Sequence, residues 1–409
     1  MSNGHTPRPY PNLLAAVADG LHEIFTEGHF ADRVVASLLK RDRRWGSRDR
    51  AFIAETVYEC VRWWRLLAFV AEDEQPEAIL AAYWAHRYGE GLDVKGYPFI
   101  HPGIVDRRVQ AAASDRAITQ SIPDWIDALG ENELGEAWPA TLDALNQPAA
   151  VYLRVNTLKT DRDALQRALA DQGIDTEIDE RGPEALRVTR RKNLWATPSF
   201  KAGHFEVQDI ASQQVAHALD VQPGMTVIDA CAGAGGKTLH LAALLKNRGR
   251  LIAMDVVPRK LTELRKRARR AGISNLELRL IDSTKVIKRL RGKADRVLLD
   301  VPCTGLGVLR RNPDAKWKLR EAFLEEVRTW QADILERYSA MAKPAGKVVY
   351  ATCSVLPSES EGQVSAFLSS SPVQVATAHP EWELQAERRY SPIDNYDGFY
   401  VAELRRRAS

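Results

Sequence analysis

The chain has 409 residues, 45% of them hydrophobic and 27% charged, with a formal net charge of +3. That composition belongs to a folded protein with room for two or three domains. No apolar run approaches the ~20 residues of a membrane helix, and the polar opening Met1–Pro11 lacks the apolar segment of a signal peptide, so a cytoplasmic, membrane-free protein is expected.

From Tyr10 to about Ala140 the apolar spacing is helical: Leu13, Leu14, Val17, Leu21, Ile24 and Phe25 share one face, as do Val34, Val35, Leu38 and Leu39. Ser47 is the expected cap of a further helix through Ala51–Tyr58. Trp45, Trp63, Trp64, Trp84 and Trp125 supply a heavy aromatic core, and no catalytic constellation stands out. This block, 1–145, reads as a packing or RNA-docking module.

Near Pro148 the pattern changes. A strand over Ala150–Asn156, a helix over Asp161–Gln172 and short strands at Thr176–Ile178, Leu186–Thr189 and Phe205–Val207 define a small α/β linker, 146–215. From Met225 strands and helices alternate: Thr226–Asp229, Thr238–Leu245, Arg250–Asp255, Pro258–Ala271, Leu276–Ile281, Arg296–Asp300, Glu321–Met341 and Lys347–Ala351. That alternation predicts a mostly parallel sheet with crossover helices over 216–409, with Gly398–Leu404 as a final antiparallel strand at or near its edge.

Three strand exits carry chemistry, and in open α/β sheets ligands bind at that edge. The first is Cys231-Ala232-Gly233-Ala234-Gly235-Gly236-Lys237-Thr238. It is no phosphate-binding P-loop, which needs Gly where Cys231 stands, and no dinucleotide fingerprint, which needs Gly where Thr238 stands. A tight turn permitting close backbone approach to a ligand remains. Asp255, Asp282 and Asp300 follow the second, third and fourth strands of this domain and suit a nucleoside: Asp255 for ribose hydroxyls, Asp282 for an adenine amino group. S-adenosyl-L-methionine fits better than NAD, because its sulfonium is cationic and it needs no pyrophosphate cradle. The other two exits, Asp300-Val301-Pro302-Cys303 and Ala351-Thr352-Cys353-Ser354, each deliver a thiol. Cysteines are often small buried hydrophobes, but this pair beside a glycine loop suggests a nucleophile.

The remaining two cysteines, Cys60 and Cys231, complete a scattered set of four that makes neither a disulfide framework nor a C-x-x-C pair. Thr26 breaks H-E-x-x-H after His22-Glu23, so no metal is expected. Cations cluster in Arg259–Arg270, then at Lys285, Lys288, Arg289, Arg291 and Lys293, then at Arg310, Arg311, Lys316, Lys318 and Arg320. Such clusters are the footprint of a nucleic-acid partner or simply a solvated helix face.

These residues resemble the RNA cytosine-5 methyltransferases of the NOL1/NOP2/Sun group, in particular the RsmB-like ribosomal-RNA branch. The likeness rests on SRDRAFIAETVYECVRW, on Leu153–Thr157, on Gly203–Asp209, on the two cysteine loops and on Arg310-Arg311-Asn312-Pro313-Asp314-Ala315-Lys316-Trp317. One departure is Gly233-Ala234, where the family usually carries Ala-Pro or Ser-Pro. The resemblance implies an α/β Rossmann-like S-adenosylmethionine-dependent domain with a seven-stranded, mostly parallel sheet, a small α+β linker and an all-helical NusB-like N-terminal domain. It implies formation of 5-methylcytosine in RNA, with small-subunit rRNA expected and tRNA as alternative; a monomer is the default expectation. Cys353 would be the nucleophile, Cys303 would assist proton removal and release, Asp300 would hold the base, and Lys237 would support base or thiolate or simply cap a local carboxylate. A catalytically silent RNA-binding assembly factor is the rival from another class.

Overall fold

A computed structural model describes residues 10–190, 192–369 and 381–408. Most of the polar opening stretch, residues 1–9, therefore lies outside the described residues. By contacts the chain falls into two compact units: Met1–Gln147 with Leu309–Arg320, and Pro148–Val308 with Glu321–Ser409. The sheet of the 146–215 linker is thus counted with the methyltransferase segment, and a short piece of that segment with the helical unit.

The helical unit is built on Pro11–Phe25, Ala31–Leu38, Ser47–Arg62, Trp64–Ala71 and Pro76–Tyr88, with shorter helices up to Asn146. Leu14, Val17, Leu21, Leu38, Ile53, Val57 and Trp84 meet in its core, as their helical spacing requires. Ser47 is the first residue inside its helix and not the cap. Gly46 occupies the cap, and the Asp49 carboxylate accepts the Gly46 backbone N–H at 2.9 Å. Residues 309–320 are integral to this unit. Ala31 N–H donates to Asp314, Trp317 Nε1 to the Val61 carbonyl (2.8 Å), and the buried Lys316 Nζ to the Arg62 carbonyl (2.8 Å). The expectation that Lys316 belongs to a surface cation cluster is corrected: its amine is inside, and Arg310 is buried too.

The second unit holds two sheets. β1 (Val151–Val155), β2 (Thr176–Ile178), β3 (Ala185–Val188) and β4 (Phe205–Val207) form an antiparallel sheet ordered β2-β3-β1-β4. β5 (Thr226–Asp229), β6 (Arg250–Asp255), β7 (Leu276–Leu280), β8 (Ala294–Asp300), β9 (Ala342–Thr352), β10 (Trp382–Tyr390) and β11 (Phe399–Arg406) form a seven-stranded sheet ordered β10-β11-β9-β8-β5-β6-β7. β5 to β9 run parallel, while β11 lies antiparallel between β9 and β10. The predicted final strand is therefore second from the edge, and β10 covers it. No alternation announces β10, because its central residues, mostly polar or charged, face solvent as an edge strand allows. Ile228, Val297, Leu299, Val348 and Tyr350 bury the sheet's interior, so β5, β8 and β9 read as continuous apolar runs.

Candidate active site

Parallel pairing puts the carboxyl ends of β5, β6, β8 and β9 on one sheet edge. The order changes direction between β5 and β8, the point where such sheets bind ligands. Asp229, Asp255, Asp300 and Thr352 close these four strands. Asp300 pairs in register with Ala351, so the loops that follow β8 and β9 leave side by side. As a result Cys303 and Cys353, fifty positions apart in sequence, have their sulfurs 3.2 Å apart. The contact to Cys353 and burial together push the Cys303 pKa well up.

Both cysteine loops hang on one residue that the sequence reading did not single out. Glu359 is fully buried. Its carboxylate accepts the Thr304 N–H (2.8 Å), the Thr304 hydroxyl (2.5 Å), the Ser354 hydroxyl (2.5 Å) and Gln331 Nε2 (3.0 Å). Thr304 and Ser354 are the residues immediately after the two thiols. A glutamate in Ser358-Glu359-Ser360-Glu361 looks like surface, and only the return of the chain beneath both loops makes it an anchor. Gly307 adds a backbone contact, its N–H donating to the Cys353 carbonyl at 3.0 Å. A Cβ there would stand 2.0 Å from the Gly398 carbonyl oxygen, so no side chain fits.

Lys237, on the first turn of helix Gly236–Leu244, donates to Asp300 at 2.7 Å and lies 5.0 Å from the centre of the Phe399 ring. Burial pulls its pKa down, but the Asp300 carboxylate more than offsets this and leaves it above the ordinary lysine value. The glycine loop itself is locally determined. Gly235 has φ +94°, and a Cβ there would meet Leu264 at 2.1 Å. Gly233 donates its N–H to Asp255 at 2.9 Å, and Asp255 also accepts from Val257 N–H at 2.8 Å. Asp229, likewise not singled out, is buried beneath the loop, accepts the Thr238 hydroxyl at 2.6 Å, and keeps its other oxygen without a partner. Burial raises its pKa to about 7. Cys231, Ala232, Ala234 and Gly236 contribute backbone to this turn, and burial raises the Cys231 pKa. Asp282 differs from the other acids: it is exposed after β7 and accepts the Ser283 hydroxyl at 3.0 Å.

The small sheet reaches the same loop. Arg154 of β1 donates to the Gly236 carbonyl at 2.6 Å. Arg267 donates to the Ala234 carbonyl (2.8 Å) and to Glu206 of β4 (2.9 Å), and Arg270 also pairs with Glu206. Two cations of the basic helix Pro258–Ala271 are therefore structural, whereas Arg265, Lys266 and Arg269 remain exposed. A further group not singled out is Glu184 with His217 and His240, whose ligand-type atoms lie within 4.8 Å of one another. His217 and Glu184 are hydrogen-bonded at 2.8 Å. Burial and the Arg154 charge hold the His240 pKa down to about 3.

Comparison with known proteins decides the family. Residues 216–405 match the model of the 16S rRNA methyltransferases RsmB/F, and residues 122–194 match that of the ferredoxin-like domain of RsmF/B-like methyltransferases. A probable ribosomal RNA small subunit methyltransferase B of Synechocystis is 32% identical over 306 residues, spanning 70% of this chain and 67% of the relative. The chain belongs to the RsmB/F methyltransferase family. The crystal structure of PH0851 shares the fold, with a TM-score of 0.80 at 23% identity over 98% of this chain and 100% of that one. So does NSun6 from Pyrococcus horikoshii, solved with SFG, with a TM-score of 0.63 at 22% identity over 71% of this chain and 100% of that one. Members of this family are RNA methyltransferases that take S-adenosyl-L-methionine as methyl donor. The loop suits that donor, because the edge offers the carboxylates of Asp255 and Asp300 and a buried, unpartnered Asp229 oxygen, with no phosphate cradle.

Proposed function

We propose that this protein methylates carbon 5 of a cytosine in small-subunit ribosomal RNA, through a covalent bond between Cys353 and carbon 6 of the base. The observation that carries the reading is the 3.2 Å separation of two thiols at the edge where the glycine loop also ends. Carbon 5 of cytosine is a weak nucleophile. Addition of the Cys353 thiolate to carbon 6 breaks the ring's aromaticity and concentrates electron density on carbon 5, dividing one hard step into two. S-adenosyl-L-methionine, held by the glycine loop and Asp255, supplies an electrophilic methyl group. Carbon 5 takes that methyl while the donor sulfur leaves as a neutral thioether, and Cys303, its own proton first passed to water, then removes the carbon 5 proton as a thiolate. The raised proton affinity of Cys303 suits it to this role. Loss of the proton restores the double bond and expels Cys353 as thiolate, which the newly formed Cys303 S–H stabilises across the 3.2 Å contact.

Asp300 accepts a hydrogen bond from the base amino group and from ring nitrogen 3 once it carries a proton, and Lys237 holds that carboxylate in place. The cytosine must leave its stack to enter, at a cost of a few kcal/mol, so an unpaired or loop nucleotide is the economical substrate. The exposed cations Arg265, Lys266 and Arg269 suit its phosphates. A monomer acting in the cytoplasm completes the reading; among the described residues no helix is long and apolar enough to cross a membrane.

The test uses labelled S-adenosyl-L-methionine and small-subunit rRNA with the full-length protein. Cys353→Ala should abolish transfer, and Cys303→Ala should accumulate an RNA–protein adduct that survives a denaturing gel. Full activity in Cys353→Ala would overturn the assignment, and label recovered in a base other than cytosine would overturn the substrate.

A further inference from the structure

We propose that Cys303 and Cys353 form a modification site for hydroperoxides, closing reversibly to a disulfide that withdraws both thiols from the active site. A disulfide bond is ~2.05 Å long, so the two sulfurs must approach by only about 1 Å from their 3.2 Å contact. Both cysteines are partly exposed at the open sheet edge, where a small oxidant can enter, whereas Cys60 is fully buried in the core of the helical unit. The anchors also favour closure over further oxidation. Thr304 and Ser354 hang on the same Glu359 oxygen, each at 2.5 Å, so the loops stay together while either sulfur is being oxidised. A resolving thiol this close is what diverts a sulfenic acid from irreversible products.

The chemistry balances with one peroxide per site. The Cys353 thiolate, stabilised by the Cys303 S–H, attacks a peroxide oxygen. An S–O bond forms, the O–O bond breaks, and hydroxide leaves and is protonated to water. Cys303 sulfur then attacks the sulfenic sulfur of Cys353. The S–S bond forms, the S–O bond breaks, and the hydroxyl departs as water with the Cys303 proton. Two electrons have passed from the thiol pair to the peroxide, and a dithiol reductant returns them by exchange.

The bond itself depends only on geometry, whereas the loss of activity it causes rests on Cys353 being the nucleophile. The full-length protein is treated with one to two equivalents of hydrogen peroxide, quenched with an alkylating agent, and divided for peptide mapping without reductant, thiol counting after denaturation, and methyl transfer. We expect a Cys303–Cys353 cross-linked peptide and a fall from four free thiols (all the chain has) to two. Methyl transfer should fall in proportion to the linked fraction and return after dithiothreitol. Cys303→Ser, lacking the resolving thiol, should instead accumulate sulfinic acid at Cys353 that dithiothreitol does not reverse. Four thiols remaining, or sulfinic acid at Cys353 of the wild type without the linked peptide, would overturn the proposal. A linked peptide with methyl transfer undiminished would uphold the bond and overturn the nucleophile assignment instead.

Discussion

Lys237 in the α/β unit and Lys316 in the helical unit are both withdrawn from solvent, yet their surroundings are opposite. Lys237 faces the Asp300 carboxylate at 2.7 Å beside an aromatic ring, and its proton is held more tightly than in water. Lys316 meets the Arg62 carbonyl and, at 3.4 Å, the Asn146 side-chain oxygen, with the Trp317 ring centre 5.1 Å away and no carboxylate among these contacts, so burial, aided by the Arg62 charge, drives its pKa well below the ordinary lysine value. Burial alone therefore does not mark a functional lysine. The proposed role of Lys237 rests on its partner charge at a strand exit, whereas the Lys316 amine among carbonyls is a packing and hydrogen-bonding element.

The largest expected effect lies on the Lys237 side. Lys237→Met should lower methyl transfer by about 10²–10³-fold, the usual range for losing a preorganised charged donor, while the thermal midpoint moves little because Asp300 is partly exposed. A variant that unfolds but keeps its specific activity would break the contrast. Next comes the anchor below the thiols. Glu359→Ala leaves Thr304, Ser354 and Gln331 without their shared acceptor and should destabilise the protein by about 3 kcal/mol, measured by denaturant unfolding. Glu359→Gln, which keeps the shape, should cost less and still slow transfer. Equal stability of Glu359→Ala and wild type would remove the anchor from the account.

The last effect is the sharpest on the comparison. Burial lowers the proton affinity of the folded Lys316 amine, whereas the unfolded chain keeps its proton up to about pH 10.4. The unfolded state thus binds more protons, and wild-type stability should rise with pH relative to Lys316→Met, by up to about 1.4 kcal/mol per pH unit within that window. Lys237 has the opposite sign: its contribution is present below the unfolded lysine value and is lost only as pH climbs through its higher folded value. Between pH 7 and 9.5 the stability of wild type minus that of Lys316→Met should increase, whereas wild type minus Lys237→Met should stay constant. A constant difference for Lys316→Met would show that its amine stays charged in the fold.

Much of this was legible along the chain, for identifiable reasons. β5, β8 and β9 are buried on both faces and so read as apolar runs, and the two thiols sit at fixed offsets from their ends. Strand β10 was hidden because an edge strand facing solvent needs no apolar period. Glu359 and Asp229 were missed since an acid's burial is decided by chain segments far away in sequence, not by its neighbours. Lys316, Arg267 and Arg270 were read with the surface cations because a count of charges cannot distinguish a solvated side chain from one bonded to a carbonyl or carboxylate. Asp282 occupies the expected offset after β7 but is exposed, at the far end of the parallel strands.

Sharing one carboxylate has a mechanical consequence for the thiols. Were each loop tied to its own support, thermal displacements of the two sulfurs would be independent and their gap would fluctuate with the sum of both. With Thr304 and Ser354 clamped to a common oxygen of Glu359, the loops swing in phase, and the gap is buffered against motions of the fifty-residue chain between them.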